Sequence, residues 1–490
     1  MKTRRCWVSW GVLLLLLIGI ISLQIAIAPQ YFNQDTSRMP SASLTLETNE
    51  DITLSGSITV SDGDTLEYIN KTIYYDSSET PIFTVYGTLR LINCKIILLR
   101  DPVDFISASQ AEIFLENVTF INPSGNSSSI FIISNSYLYV NHATFSGFHG
   151  GSISDSDDVY ISDMYANITG QLNFNGCKNL TIANSRIDLF GNNPVRLLEI
   201  ASTDGVTLIN NTIRIPVEAV EEHSAWLEGI SMNTDTNVIV RGNTVINGGK
   251  TLVSYGSSNI LIVNNTFMNE KLVEGTELQI DSTSKDIIIV NNSFYGLWEA
   301  IEVYAHKNIT IIGNIIVQSD VGIKVEPSTS SEITEVYVFD NTLVNSSFLI
   351  FYCNGLIVKN NTIENWDVWI DNSNNVTLQQ NLLRNVTVHV ENSKDIKIIN
   401  NTIYVFEGKD WLSIENSTVT EKDNAIVTLP SSGGDQSGEE NQEENESQES
   451  QEQIQISIPL VMMFAGILGI MVCLAIIVVL KQRKKISTEV

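Results

Sequence analysis

The chain has 490 residues, with 28 Lys+Arg against 56 Asp+Glu and a formal net charge of −28. So acidic a chain offers no basic footprint for a phosphate backbone, which excludes nucleic acid as a partner. Hydrophobic residues reach 43% with only 17% charged; Ile, Val, Thr and Asn recur where helix formers are scarce, so the composition excludes disorder and a helical bundle and reads as β.

At the N-terminus, Lys2, Arg4 and Arg5 precede an apolar run from about Val12 to Ala28. Residues 1–28 read as a signal peptide or signal anchor. Ala26-Ile27-Ala28 fits a small-x-small cleavage site, whereas Pro29 opposes cleavage and the run is long enough to span a bilayer uncut. Either way the N-terminus stays inside.

From Leu89 to Ile396 one template recurs, apolar-x-apolar-x-x-(Asn)-x-apolar, at intervals of 20 to 32 residues. Repeats of that length indicate a solenoid. Within each unit the period is two, as in Ile396-Lys397-Ile398, so each segment is a half-buried strand. A second strand follows in most units, for example Gly229-Ile-Ser-Met and Val386-Thr-Val-His-Val. With no helical segment between them, such strands close into a coil whose neighbours stack in parallel about 4.8 Å apart.

The sixth template position is Asn in nine consecutive units: Asn211, Asn243, Asn265, Asn292, Asn314, Asn341, Asn361, Asn381 and Asn401. Asn tolerates the left-handed conformation of a tight corner, and its amide can bond the copies above and below. These nine are read as a structural ladder.

On this template and ladder the chain resembles the right-handed parallel β-helix repeat proteins, the pectate-lyase-like superfamily that includes NosD-type repeats. The resemblance covers residues 44–429 and implies an all-β, right-handed parallel β-helix solenoid of about 16 coils. Its members include lyases, hydrolases, adhesins and scaffolds, so it fixes the fold and leaves function to the site.

The five cysteines form no zinc or disulfide pattern. Cys177 and Cys353 each stand three residues before a template start, in a column that otherwise holds Ser257, Ser284, Ser373 and Ser393. They read as buried free thiols, seven coils apart and far beyond disulfide reach.

The densest acidic cluster is Asp155, Asp157, Asp158 and Asp163, with Arg186 a coil away. These are the catalytic candidates, since β-helix polysaccharide enzymes gather carboxylates on one outward face. The competing reading is an acidic turn. No cofactor is expected; calcium is the one ion such a cluster could take. Asn233-Thr234-Asp235 is similar to the first polygalacturonase motif but lacks its companion motifs downstream, and reads as a turn. The histidines are scattered, so no metal site is expected.

Trp226, Trp298, Trp366 and Trp411 each precede a second strand, and Trp369 lies within one. On one shoulder of the coil they would form a broken stripe for stacking sugar rings, or else a packed corner. Sixteen Asn-x-Ser/Thr sequons occur. Candidate glycosylation sites are Asn70, Asn117, Asn126, Asn167, Asn179, Asn308, Asn375, Asn385 and Asn416, while Asn210 and Asn400 precede the ladder position, where packing could block them.

Residues 430–457 form an acidic, Gly/Ser/Gln/Glu stretch read as a disordered stalk. Ile458–Leu480 gives 23 uncharged apolar residues, followed by Lys481, Arg483, Lys484 and Lys485. This is a transmembrane helix with residues 481–490 as a basic cytoplasmic tail, and the bulk of the chain extracellular. The arrangement looks like a prokaryotic, best an archaeal, cell-surface protein. The expected function is a non-catalytic module for binding surface glycans or proteins, or for envelope structure. The alternative is a membrane-anchored polysaccharide lyase or glycoside hydrolase.

Overall fold

The computed structural model describes residues 44–45 and 51–430, apart from 101–102, 123–127, 192–195, 224–226, 272–274, 306 and 328–334. The predicted N-terminal segment 1–28, the acidic stretch beyond 430, the apolar run 458–480 and the tail 481–490 lie outside the described residues. No helix among the described residues is long and apolar enough to cross a membrane.

The described residues wind into a right-handed parallel β-solenoid of about 15 turns, against the 16 expected. One sheet has 17 strands and collects the template segments, whose register is continuous: Leu89 faces Ile113, Ile113 faces Leu138, and Ile287 faces Ile309. The other has 31 strands and collects the two remaining segments of each coil. Its pairings are parallel throughout, as in Thr266–Met268 with Ser293–Tyr295. The single helix among the described residues, Val217–His223, sits in the longest interval between template segments.

Period-two strands place alternate side chains inside, so the core is one continuous apolar column from Val60 to Val405. In the N-terminal half it is filled by phenylalanines, with ring centroids of Phe105–Phe120 and Phe120–Phe148 both 4.6 Å apart. Further along, Phe267 and Phe294 stack at 5.0 Å. Coils this thin bury their apolar faces only against one another.

The asparagine ladder is fully hydrogen bonded. Each side-chain Oδ1 accepts the backbone N–H of the previous rung, as Asn292 does from Asn265 at 2.9 Å and Asn314 from Asn292 at 2.9 Å. Each Nδ2 donates to a core-strand carbonyl, as Asn292 does to Ile262 at 3.0 Å. Asn424 is a further rung, accepting from Asn401 at 3.0 Å.

One expectation is corrected here. The ladder asparagines are not the left-handed residues; the residue before each one is, as at Asn210, Asn264, Asp340 and Asn400, with φ of 54° to 56°, or at Gly242 and Gly313. The left-handed residue turns the chain and points outward, whereas the ladder residue must point inward to bond. Asn210 and Asn400 are accordingly exposed, not masked by packing.

The opposite corner carries a second ladder, of hydroxyls. Cys353 donates its N–H to Ser373 Oγ, and Ser373 to Ser393 Oγ, both at 3.0 Å. Cys177 and Cys353 are buried and in no disulfide among the described residues, as is Cys94, which occupies the position of the asparagine ladder upstream of its first Asn. Burial pushes the Cys94 and Cys177 thiols above their ordinary value.

Candidate binding face

The acidic cluster belongs to corners. Asp155 and Asp158 flank Ser156 in left-handed conformations, φ 48° and 57°, and Asp163 makes the next corner at 51°. Asp157 pairs with Lys178 at 3.3 Å, and Asp158 accepts from Asn179 at 2.9 Å. Arg186 turns to Asp188, at 2.8 Å, and lies over the Tyr165 ring at 5.7 Å. Its hydrogen bonds to Asp188 raise the guanidinium above its ordinary value. Among the described residues no three His, Cys, Asp or Glu side chains are grouped to hold a metal ion.

Asp235 of the Asn-Thr-Asp sequence points inward. It takes a place in the hydroxyl ladder, accepting N–H groups from Thr203 at 2.8 Å and Asn233 at 2.9 Å. It is fully buried, and burial pushes its carboxyl up to about 7.

Of the tryptophans, Trp298 and Trp366 are exposed, at 37% and 42%, each just before a second strand. Trp411 is half-buried against the core. Trp369 points outward from the strand Val368–Asp371 and stacks on its register partner His389, centroids 4.0 Å apart and rings 12° from parallel. Trp226 and the sequon Asn126 lie outside the described residues. Of the other candidate sequons, Asn70, Asn117, Asn179, Asn308, Asn375 and Asn416 are exposed and Asn167 and Asn385 half-buried.

A group of residues that sequence reasoning missed lies on the outward side of the second strands. Their register runs Glu199, Ser231, Val253, Gln279, Glu302 and Lys324, one residue per coil. Upstream the same line continues through Asn173, Ser152, Ile132 and Ser107, where a depression of ≈ 210 Å³ is floored by serines and edged by Tyr86. Downstream it reaches Leu349, Trp369 and His389.

Two nests of charge stand on this line. In the first, Arg196 bridges Glu199 at 2.9 Å and Glu228 at 3.2 Å, and its guanidinium lies 5.9 Å from the Tyr255 ring. Tyr255 ends its strand, yet its hydroxyl donates to Glu228 at the start of the neighbouring strand, at 3.2 Å. The ring therefore spans the face, and the outward-facing Ser231 and Val253 are both 0% exposed. In the second nest Lys324 pairs with Glu302 at 2.9 Å and Glu326 at 3.0 Å, and Tyr304 donates to Glu302.

The electrostatics follow from this packing. Burial, and then the Glu228 charge, push the Tyr255 hydroxyl up to about 12. Burial and the hydrogen bond to Glu302 raise Tyr304 likewise. Burial alone would lower Lys324, but its bonds to Glu302 and Glu326 outweigh that and hold the ammonium well above its ordinary value. Signals for this face were present in the sequence only as isolated charges, because loops of unequal length hide their register.

The solenoid geometry and its repeat define a right-handed parallel β-helix. The family model described as "Right handed beta helix region" matches residues 175–343, 228–403 and 277–442, together more than half of the chain, and the chain belongs to that family. None of the curated proteins is a detectable sequence relative. Among solved structures, the exopolygalacturonase of Thermotoga maritima is similar at 13% identity and a TM-score of 0.31, covering 57% of this chain and 84% of that one. The surface adhesin PfbA of Streptococcus pneumoniae is similar at 11% identity and a TM-score of 0.25, covering 70% and 83%. The A-module of the mannuronan C-5 epimerase AlgE6 of Azotobacter vinelandii gives 10% and 0.22, covering 76% and 87%. These likenesses reach no further than the solenoid.

Proposed function

We propose that this β-helix is a membrane-anchored, cell-surface binding module that holds an extended glycan along the outward side of its second strands without cleaving it. The observation that carries this reading is the continuous register of outward residues from Ser107 to His389, polar or aromatic at every coil but those of Ile132, Val253 and Leu349. A line that repeats at every coil, about 4.8 Å apart, suits a linear polymer better than a small molecule. The exposed Trp298 and Trp366 at its shoulder supply flat apolar surfaces for sugar rings.

The charge states support binding over chemistry. A general base needs a lone pair near its working pH. Tyr255 and Tyr304 are shifted the other way, and the acids beside them are tied to Arg196 and Lys324. Surface display rests on the apolar run 458–480 and the basic residues after it. A protein partner or an envelope-structural role is the other form of the same reading.

One observation favours the second reading, an anchored lyase or hydrolase: Glu199 and Glu228 bracket a single cation, Arg196. Glycosidases also place two carboxyl groups about one centre. Incubating the purified chain with a polysaccharide panel and calcium, then measuring polymer length by size exclusion, separates the two. Intact polymers retained by the protein support binding; shortened ones establish the enzyme.

A further inference from the structure

The 17-stranded sheet carries a second face, separate from the second strands. Most of its strands turn two side chains outward, and the register lines these up in two columns. Through the middle coils one column runs Thr181, Thr207, Ile239, Leu261, Ile288 and Thr310, and the other Ala183, Ile209, Arg241, Val263, Val290 and Ile312. The chain has 56 acids, yet among the described residues the two columns hold only Glu67 and Glu116. Two copies of a chain of charge −28 repel each other elsewhere; on this face they can approach.

The charges at the two ends of the face are complementary. Counted in coils from Ile239, Glu116 lies five back and Lys359 five on, both in one column. In the other column Glu67 lies seven back and Lys397 seven on. Glu116 and Lys397 are exposed and Lys359 half-buried. Among the described residues none of these three has an ion-pair partner, while Glu67 lies 3.3 Å from Arg90.

We infer that this face docks on a second copy of the chain, antiparallel, about a two-fold axis that runs along the strands at the coil of Ile239. That axis sets Glu116 of each copy on Lys359 of the other, and Glu67 on Lys397. It also sets small side chains on large ones, Thr181 on Ile288 and Thr207 on Leu261, two coils and one coil from the axis. Arg241 meets its like at the axis, where it ends its strand and is exposed. From Glu67 to Lys397 the face spans 14 coil intervals, about 67 Å at ~4.8 Å each. With about 10 Å of strand width, that is roughly 700 Å² per copy, against ~800 Å² for a standard interface.

The test is sedimentation velocity of the full chain in detergent at micromolar concentration. The wild type is expected to sediment as two chains. Glu116→Lys creates two like-charge contacts in each pair and is expected to raise the dissociation constant at least about tenfold. Adding Lys359→Glu to that variant reverses both contacts and is expected to restore the constant to within about threefold. Only the antiparallel pair gives that recovery, since in a parallel pair each coil meets its own counterpart. Ile288→Glu, at a residue 36% exposed in the single chain, is expected to give monomers at an unchanged melting temperature.

A wild type that stays monomeric overturns the interface. So does a dimer indifferent to Glu116→Lys and Ile288→Glu, which would be formed by another surface. A double variant that recovers nothing overturns the antiparallel register.

Discussion

Asp235 accepts the backbone N–H of Thr203 at 2.8 Å from within a ladder whose neighbouring rung, Ser257, is a hydroxyl accepting from Asp235 itself at 3.0 Å. A carboxyl thus replaces a serine deep in the core. Its two accepted hydrogen bonds favour the charged form, while burial opposes it and prevails.

The consequence is a pH dependence of stability. The carboxyl titrates near 3.8 when unfolded and near 7 when folded. Between those values the folded chain holds the extra proton, so stability falls as pH rises through the window and levels off above it, by up to about 1.4 kcal/mol per pH unit. Asp235→Ser restores the hydroxyl and is expected to be the more stable variant above pH 7, with the advantage vanishing near pH 4. Urea unfolding of both proteins from pH 4 to 8 checks this; parallel curves would refute it.

Truncating an internal ladder rung removes several hydrogen bonds together. Asn292→Ala removes the acceptor of the Asn265 N–H, one of the two acceptors of Asn265 Nδ2, and the side-chain donor to the Ile262 carbonyl. The expected loss is about 2–4 kcal/mol. Asn424→Ala, at the partly exposed end of the ladder, is expected to cost about 1 kcal/mol. Hydrogen exchange should locate the first loss in the coils around residues 262–292, and uniform exchange along the chain would contradict a local origin.

The two neighbouring tryptophans should separate binding from packing. Trp366 is exposed, so Trp366→Ala is expected to weaken glycan binding several-fold at an unchanged melting temperature. Trp369 covers His389, so Trp369→Ala is expected to lower the melting temperature as well. Melting curves and calorimetry on both variants give the comparison; identical behaviour would remove the distinction.

Cys94, Cys177 and Cys353 are buried, and the first two are held protonated by burial. Native protein treated with iodoacetamide is expected to show none of the three labelled by peptide mapping, and all three labelled in urea. Labelling of Cys177 under native conditions would mean that its corner opens.

The sequence by itself determined the coil. Hydrophobic alternation recurs at every turn and the asparagine column through nine consecutive units from Asn211, and repeated local patterns read without knowledge of contacts. The tertiary structure decided which residue of each corner turns left-handed, since Asn210 and Asn211 are alike in sequence and only packing sends one outward and one inward. It also decided the face. Glu228 and Tyr255 lie 27 residues apart, and Arg196 and Glu228 are joined across the coil that carries the Val217–His223 helix. Intervals of 20 to 32 residues between template segments leave the register of outward charges unreadable from the chain. Stacking of the coils sets that register, because the buried apolar column aligns every strand before the outward side chains meet.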